Sequence, residues 1–254
     1  MNPAQSQRLA VVIPAFNEAA TIAGIVRRAG RFSDRVIVVN DGSSDATAQL
    51  LQKLPVTVLS NPINLGKGKS LLRGARLAIE QGAAAVVTLD GDGQHRPEDI
   101  ALLLEKAAAH PDTIIIAARL RNRHCAPSLR RFANRCADFW ISWAAGYRIR
   151  DSQSGFRLYP AALFQQCPTA SDHFVFESEI LIDAARQGIF SKCVAIDTVY
   201  HQGTRSSHYR PARDTWAIVS MVAGKLINRG LYPVGLLRSL GIWPASLSTG
   251  SAAP

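Results

Sequence analysis

The first half of the chain alternates short apolar runs with helix-length segments. The runs are LAVVIP (9–14), RVIVVN (35–40), VTVLS (56–60), AAVVTLD (84–90) and TIIIAA (113–118). Between them, 18–28, 45–53, 69–81 and 97–110 have the spacing of helices. Runs that are apolar at every position are strands covered on both faces. Their alternation with helices predicts an α/β fold with a mostly parallel central sheet and helices on both sides. Pro97 suits a first helical position, and Glu98 and Asp99 then fall where the helix dipole favours acids. Beyond residue 118 the rhythm loosens. A basic helical stretch (129–145) leads to the loop DSQSGFRLYP, a helix over 176–187 and a strand near 193–196. The polar loop HQGTRSSHYRPARD follows, then an amphipathic helix over 215–228. The tail SLSTGSAAP has the composition of disordered chain. This divides the chain into a short tail (1–8), one α/β domain (9–213), an amphipathic helical segment (214–243) and a tail (244–254), with no repeat or linker that splits it.

Ligands of such sheets bind beyond the carboxyl ends of the strands, and polar, glycine-containing text falls there four times: PAFNE, NDGSSD, NPINLGKGKS and DGDGQH. In the last, Asp90 and Asp92 flank Gly91 at the end of a buried run, where like charges repel. A turn accounts for Asp-Gly text taken alone. With three other polar strand ends nearby, a hard divalent cation bridging carboxylates to a diphosphate accounts for more. Asp41 sits where acids contact a base or ribose in nucleotide folds, while Ser43 and Ser44 suit a helix cap. NLGKGKS is not a P-loop, because the required first glycine is Ile63. A lysine beside a diphosphate (Lys67 or Lys69) and a solvated loop explain it equally well. DSQSGFR places Asp151, Ser154 and Arg157 in one loop; FESE places Glu177 and Glu179 at a helix start.

Charge narrows the partners. Lys and Arg number 29 against 19 acids, a net +10, and nine arginines face two aspartates between residues 119 and 157. Nucleotides, phospholipid headgroups or nucleic acid are the partners such an excess attracts. The four cysteines form no CxxC pair, which predicts buried reduced thiols in a cytoplasm and no zinc site or disulfide frame. The N-terminus does not have the pattern of a signal peptide. No run approaches the ~20 apolar residues that span a bilayer; the longest, 216–227, contains Lys225.

In this order, IPAFNE, VVNDGSSD, NLGKGKS, LDGDGQHRPE, DSQSGFR and FESE resemble glycosyltransferase family 2, over roughly residues 9–215. Within it they are most similar to the dolichol- or polyprenyl-phosphate sugar synthases. The resemblance implies a GT-A, Rossmann-like fold, a nucleoside-diphosphate sugar donor, Mg²⁺ or Mn²⁺, and inversion at the anomeric carbon. It implies that Pro14, Phe16, Glu18 and Asp41 line the nucleobase pocket and that Asp90, Asp92 and Gln94 hold the metal. Gly91 and Lys67 lie against the donor, and Arg205 and His208 sit in a loop that closes over it. Ser154 and Arg157 flank an acceptor phosphate. If the acceptor is instead a hydroxyl on a lipid, glycan or metabolite, a carboxylate must take its proton, and Asp151 and Glu179 are the candidates. The chain lacks the Q-x-x-R-W of processive synthases, lacks the membrane helices that many lipid-linked members carry after the catalytic domain, and has His208 where a lysine is expected. A basic face and the helix over 215–228 then suit peripheral attachment to anionic lipid on the cytoplasmic face of the inner membrane. A basic nucleic-acid-binding protein is the competing class. Acids at the strand ends and the lack of a recognised binding module argue against it.

Overall fold

The computed structural model describes residues 8–122, 128–166, 175–199 and 211–244. Strands β1 (Leu9–Ala15), β2 (Val36–Asp41), β3 (Thr57–Asn61), β4 (Ala85–Thr88), β5 (Ile114–Arg119), β6 (Arg157–Pro160) and β7 (Ser191–Ile196) form one sheet in the order β3-β2-β1-β4-β6-β5-β7. Every pairing is parallel except those of β6. The continuous apolar runs are the central strands β1, β2, β4 and β5, buried almost throughout, whereas β3 lies at an edge and is largely exposed.

Alternate strand residues feed two cores. Ala10, Val12, Ile37 and Val39 face α3 (Lys67–Glu80), α5 (Ser128–Ala145), α7 (Val175–Arg186) and α8 (Pro211–Ile227). Leu9, Val11, Ile13 and Val38 face α1 (Ile22–Ala29), α2 (Thr47–Leu51) and α4 (Ile100–Ala108). The helix over 215–228 is the greater part of α8, which buries Ile218, Val222 and Leu226 in the first core. Two short helices, α6 (Leu163–Gln166) and α9 (Pro233–Ser239), and a 3-10 turn at Pro97–Asp99 leading into α4 are also present. No helix among the described residues is long and apolar enough to cross a membrane.

Two expectations change. RLYP belongs to a strand, β6, wedged antiparallel between β4 and β5, with Thr88 and Ile116 both registered to Arg157. Because β6 runs backwards, its start lies at the carboxyl end of β4, and the DSQSG loop is delivered to that edge. The described cysteines, Cys136 and Cys193, are free thiols but only half-buried, since one lies on α5 and the other on the edge strand β7. Cys125 and Cys167 lie outside the described residues.

Candidate active site

Side chains staple the loops after β1, β2 and β4 together. Asn17, held at φ 58°, accepts through Oδ1 from the N–H groups of Ser44 (2.8 Å) and Asp45 (3.2 Å), and its own N–H donates to Ser43 Oγ (3.0 Å). The Glu18 N–H donates to Thr47 Oγ1 (2.8 Å), and Thr21 Oγ1 donates to the Gly91 carbonyl (2.5 Å). Asp41 is 3% exposed, and its carboxylate accepts from Asn61 Nδ2 (2.7 Å) and from the N–H groups of Leu65 (2.8 Å) and Gly66 (2.9 Å). It therefore fixes the turn that starts α3 and presents Lys67. Gly42 allows this turn to pass, since it has φ +71° and a Cβ there would lie 2.7 Å from the Ile63 carbonyl carbon.

Lys67 is the hub. Its Nζ lies 2.5 Å from Asp90 Oδ1 and 2.7 Å from Glu177 Oε1. The three groups press against Gly155, where a Cβ would come within 2.5 Å of Lys67 Nζ and Glu177 Oε1 and 2.8 Å of Asp90 Oδ2. Burial alone would lower the Lys67 ammonium, but Asp90 and Glu177 outweigh it and keep it protonated well above the usual lysine range. Burial likewise opposes ionisation of Asp90, and Lys67 reverses that. Asp92 gains no such partner among the described residues. Burial and the Asp90 charge raise it, although its Oδ1 accepts the Gln94 N–H at 2.9 Å. Glu18 is pushed up to about 7 by burial and by the charges of Asp92 and Asp90. Its Cγ and the Pro14 carbonyl both lie 3.2 Å from where a Gly91 Cβ would be. Phe16, in the same loop, is half-buried. Buried His95 has no hydrogen-bond partner on either ring nitrogen among the described residues. Its Nδ1 stands 3.9 Å from Asp90 Oδ2 and its ring lies 5.4 Å from that of Phe156. Burial lowers it, against the pull of Asp90.

The DSQSGFR loop closes the opposite side. Asp151, at φ 51°, accepts from the Arg119 N–H (2.6 Å), Nε (2.9 Å) and a terminal nitrogen (2.6 Å). Burial opposes its charge, but Arg119 holds the carboxyl below its ordinary range. Ser154 is fully buried and donates to the Ala117 carbonyl at 2.7 Å. Arg157 is also fully buried and donates to the carbonyls of Ser152 (2.7 Å), Ser154 (2.7 Å) and Glu177 (2.6 Å). Glu179 points away toward α8, 3.2 Å from Lys225 Nζ.

Residues 10–174 match the family model described as Glycosyl transferase family 2. The chain belongs to glycosyltransferase family 2. Among its relatives is a UDP-N-acetylglucosamine–dolichyl-phosphate N-acetylglucosaminyltransferase of Methanococcus voltae, 28% identical over 81% of this chain and 88% of that protein. Another is the polyprenol monophosphomannose synthase of Mycolicibacterium smegmatis, 30% identical over 61% of this chain and 62% of that one. Of the solved structures, glucosyl-3-phosphoglycerate synthase of Mycobacterium tuberculosis, in complex with Mn²⁺, UDP and glucosyl-3-phosphoglycerate, superposes with a TM-score of 0.64. It is 20% identical, over 87% of this chain and 79% of that one. At that identity the likeness speaks for the fold, which is GT-A.

Within this family 2 glycosyltransferase, Pro14, Glu18, Lys67, Asp90, Gly91 and Asp92 gather at one carboxyl edge of the sheet, with Gln94 next to Asp92. Asp41, Ser154 and Arg157 brace loops, Asp151 pairs with Arg119, and Glu179 faces another helix. Arg205 and His208 lie outside the described residues. Glu177, which the sequence marks only as an acid at a helix start, joins the cluster together with Arg119 and His95, to which no role was assigned above. Arg119 had one signal, a charged residue closing a buried apolar run, as Asp90 closes AAVVTLD. No group of three or more His, Cys, Asp or Glu side chains among the described residues makes a protein cage for a metal. Carboxylates short of positive charge do fit a hard cation that takes one or two of them and completes its shell with phosphate oxygens and water.

Proposed function

We propose that this enzyme transfers a sugar from a nucleoside-diphosphate sugar to a lipid-linked phosphate, of the polyprenyl-phosphate class, with inversion at the anomeric carbon. The observation that carries the reading is the protonated, buried Lys67 held between Asp90 and Glu177 beside two carboxylates, Asp92 and Glu18, that burial and mutual charge push upward. Asp90 and Asp92, with Gln94 beside them, would hold Mg²⁺ or Mn²⁺, which when bound supplies positive charge to the diphosphate leaving group. Lys67 adds a fixed positive charge where negative charge grows as the glycosidic bond breaks, and needs no reorganisation to do so. Gly91 lets the Pro14 carbonyl and the Glu18 side chain pack against the loop after β4, which brings Glu18 up to Asp90 and Asp92.

The acceptor assignment rests on two supports. The named relatives act on dolichyl phosphate or make a polyprenol monophosphomannose. The two carboxylates that would serve a hydroxyl acceptor are also committed, Asp151 to Arg119 and Glu179 toward Lys225. A phosphate acceptor is already an anion and attacks without a base. Its oxygen bonds to the anomeric carbon from the face opposite the departing diphosphate, which inverts the centre. The test is nucleoside-diphosphate release from a panel of UDP- and GDP-sugars with Mn²⁺, with either a polyprenyl phosphate or the matching free alcohol as acceptor. Release driven by the phosphate and abolished in Asp92→Ala is expected. Turnover with the alcohol alone, or a fully active Asp92→Ala enzyme, overturns the reading.

A further inference from the structure

All four tryptophans of the chain, Trp140, Trp143, Trp216 and Trp243, lie beyond residue 139, outside the carboxylate cluster just described. Two belong to α5, whose outer side carries Leu129, Phe132, Phe139 and Trp140 at helical spacing, 78, 67, 40 and 45% exposed. Trp140 stacks on Trp143 at 5.2 Å, and the Trp143 indole donates to the carbonyls of Leu231 (3.0 Å) and Tyr232 (3.2 Å). That bond seats the turn between α8 and α9 on α5. Leu231, Val234, Leu240, Ile242 and Trp243, between 41 and 68% exposed, add to the apolar surface around it. Contiguous apolar surface of this kind marks a contact with something other than water.

Between α5 and the end of α9 runs a cleft of about 680 Å³, lined by Arg135, Arg148, Arg150, Phe139, Ile149 and Leu240 among others. Among the described residues, Asp138 is its one acidic lining residue. The Asp138 carboxylate already accepts from the Ser152 N–H and hydroxyl and from the Asp151 N–H. The three guanidinium groups therefore share a cleft whose one carboxylate among the described residues is taken up by Ser152 and Asp151. The helices beyond add to the imbalance: between residues 211 and 244, Asp214 is the single acid against Arg213, Lys225, Arg229 and Arg238.

We propose that this face of α5, the α8–α9 turn and α9 docks on a bilayer containing anionic phospholipid. Its tryptophans and aliphatic side chains enter the headgroup layer, where indole rings are favoured, and lipid phosphates meet the arginines of the cleft. A second copy of the chain fits this face poorly. A two-fold contact sets a patch against itself, and here that places arginines against arginines. On the reading of a lipid-linked acceptor, docking also brings the acceptor to the right side of the enzyme, because Asp138 holds Asp151, and Asp151 holds Arg119 at the active-site edge. The docking stands without that reading.

Co-sedimentation of the full chain with vesicles tests it, with tryptophan emission followed in parallel and neither donor nor acceptor present, so the outcome is independent of turnover. Pelleting and a blue-shifted emission are expected with phosphatidylcholine–phosphatidylglycerol vesicles, weakening as salt rises, and not with phosphatidylcholine alone. Arg148→Ala and Arg150→Ala should each lower the partition about fivefold, the factor that about 1 kcal/mol per arginine near an anionic surface corresponds to. Ile242→Ser and Trp243→Ser should lower it while leaving its salt dependence in place. Equal pelleting with neutral vesicles, no pelleting with anionic ones, or unchanged partition in both arginine variants overturns the proposal. So does self-association or duplex DNA binding through this face with no affinity for vesicles.

Discussion

Replacing Arg157 by methionine tests the bracing role that its surroundings assign to it. Methionine keeps much of the length and volume, so the cavity contribution is small and the loss falls on hydrogen bonds. The carbonyls of Ser152, Ser154 and Glu177 lose donors at 2.7, 2.7 and 2.6 Å. A buried polar group left unpaired costs about 1–3 kcal/mol, so three independent losses would total roughly 3–9 kcal/mol. The three carbonyls share one site and water can re-pair some of them, which places the expected loss near the low end, at about 4 kcal/mol. Domains are stable by about 5–15 kcal/mol, so the variant should stand close to unfolding. Urea denaturation followed by circular dichroism should show the midpoint lowered by roughly 1.5 M, for a slope of about 2–3 kcal/mol per M. Under conditions where the variant is still folded, nucleoside-diphosphate release should also drop, because the same bonds hold the start of α7, from which Glu177 reaches Lys67. A variant within about 1 kcal/mol of the parent and with normal turnover would refute the bracing role.

Gly155→Ala pushes a methyl group to 2.5 Å from both Lys67 Nζ and Glu177 Oε1. Flexible side-chain ends can yield, so stability measured by thermal unfolding should change little, whereas donor turnover should fall steeply. Lys67→Met leaves Asp90 and Glu177 without the cation between them. Nucleoside-diphosphate release at saturating Mn²⁺ should fall by about 10²–10³, the effect of removing one preorganised electrostatic group, and an unchanged kcat would count against Lys67 as the leaving-group cation. Glu18 has its folded-state pKa raised from 4.5 to about 7, so the folded chain keeps a proton that the unfolded chain has released. The stability contributed by that proton is complete below 4.5 and is lost as pH rises to 7. Glu18→Gln should therefore gain stability relative to the parent over that interval in metal-free buffer, and parallel pH–stability curves for the two proteins would contradict the shift.

The parallel part of the fold was legible because burial of a central strand is written into consecutive residues. VVIP, VIVVN and AVVT need no knowledge of their partners to be recognised as covered on both faces. β6 was not legible. RLYP is four residues long, opens with an arginine and closes with a proline, and it is a strand only because β4 and β5 flank it and because Arg157 finds the Glu177 carbonyl 20 residues further along the chain. A lone arginine in a sequence reads as exposed and available for a phosphate, since arginine is seldom fully buried without partners. Those partners are what the sequence does not display.

The same distinction sorts the acids. Their positions at strand ends could be read directly, but whether each is committed depends on donors brought from elsewhere. Asp41 is satisfied by the turn through Leu65 and Gly66, Asp151 by Arg119, and Asp138 by Ser152 and Asp151. Glu177 and Glu179 stand two residues apart on α7, and the packing of that helix sends one to Lys67 and the other toward Lys225. Of the acids in the loops after β1 and β4, Asp92 and Glu18 are the two whose charge the fold opposes, by burial and by their neighbours among the described residues. Carboxylates perturbed in this way cluster at functional sites. On the reading proposed above, a cation carried with a diphosphate supplies the positive charge that these two acids lack.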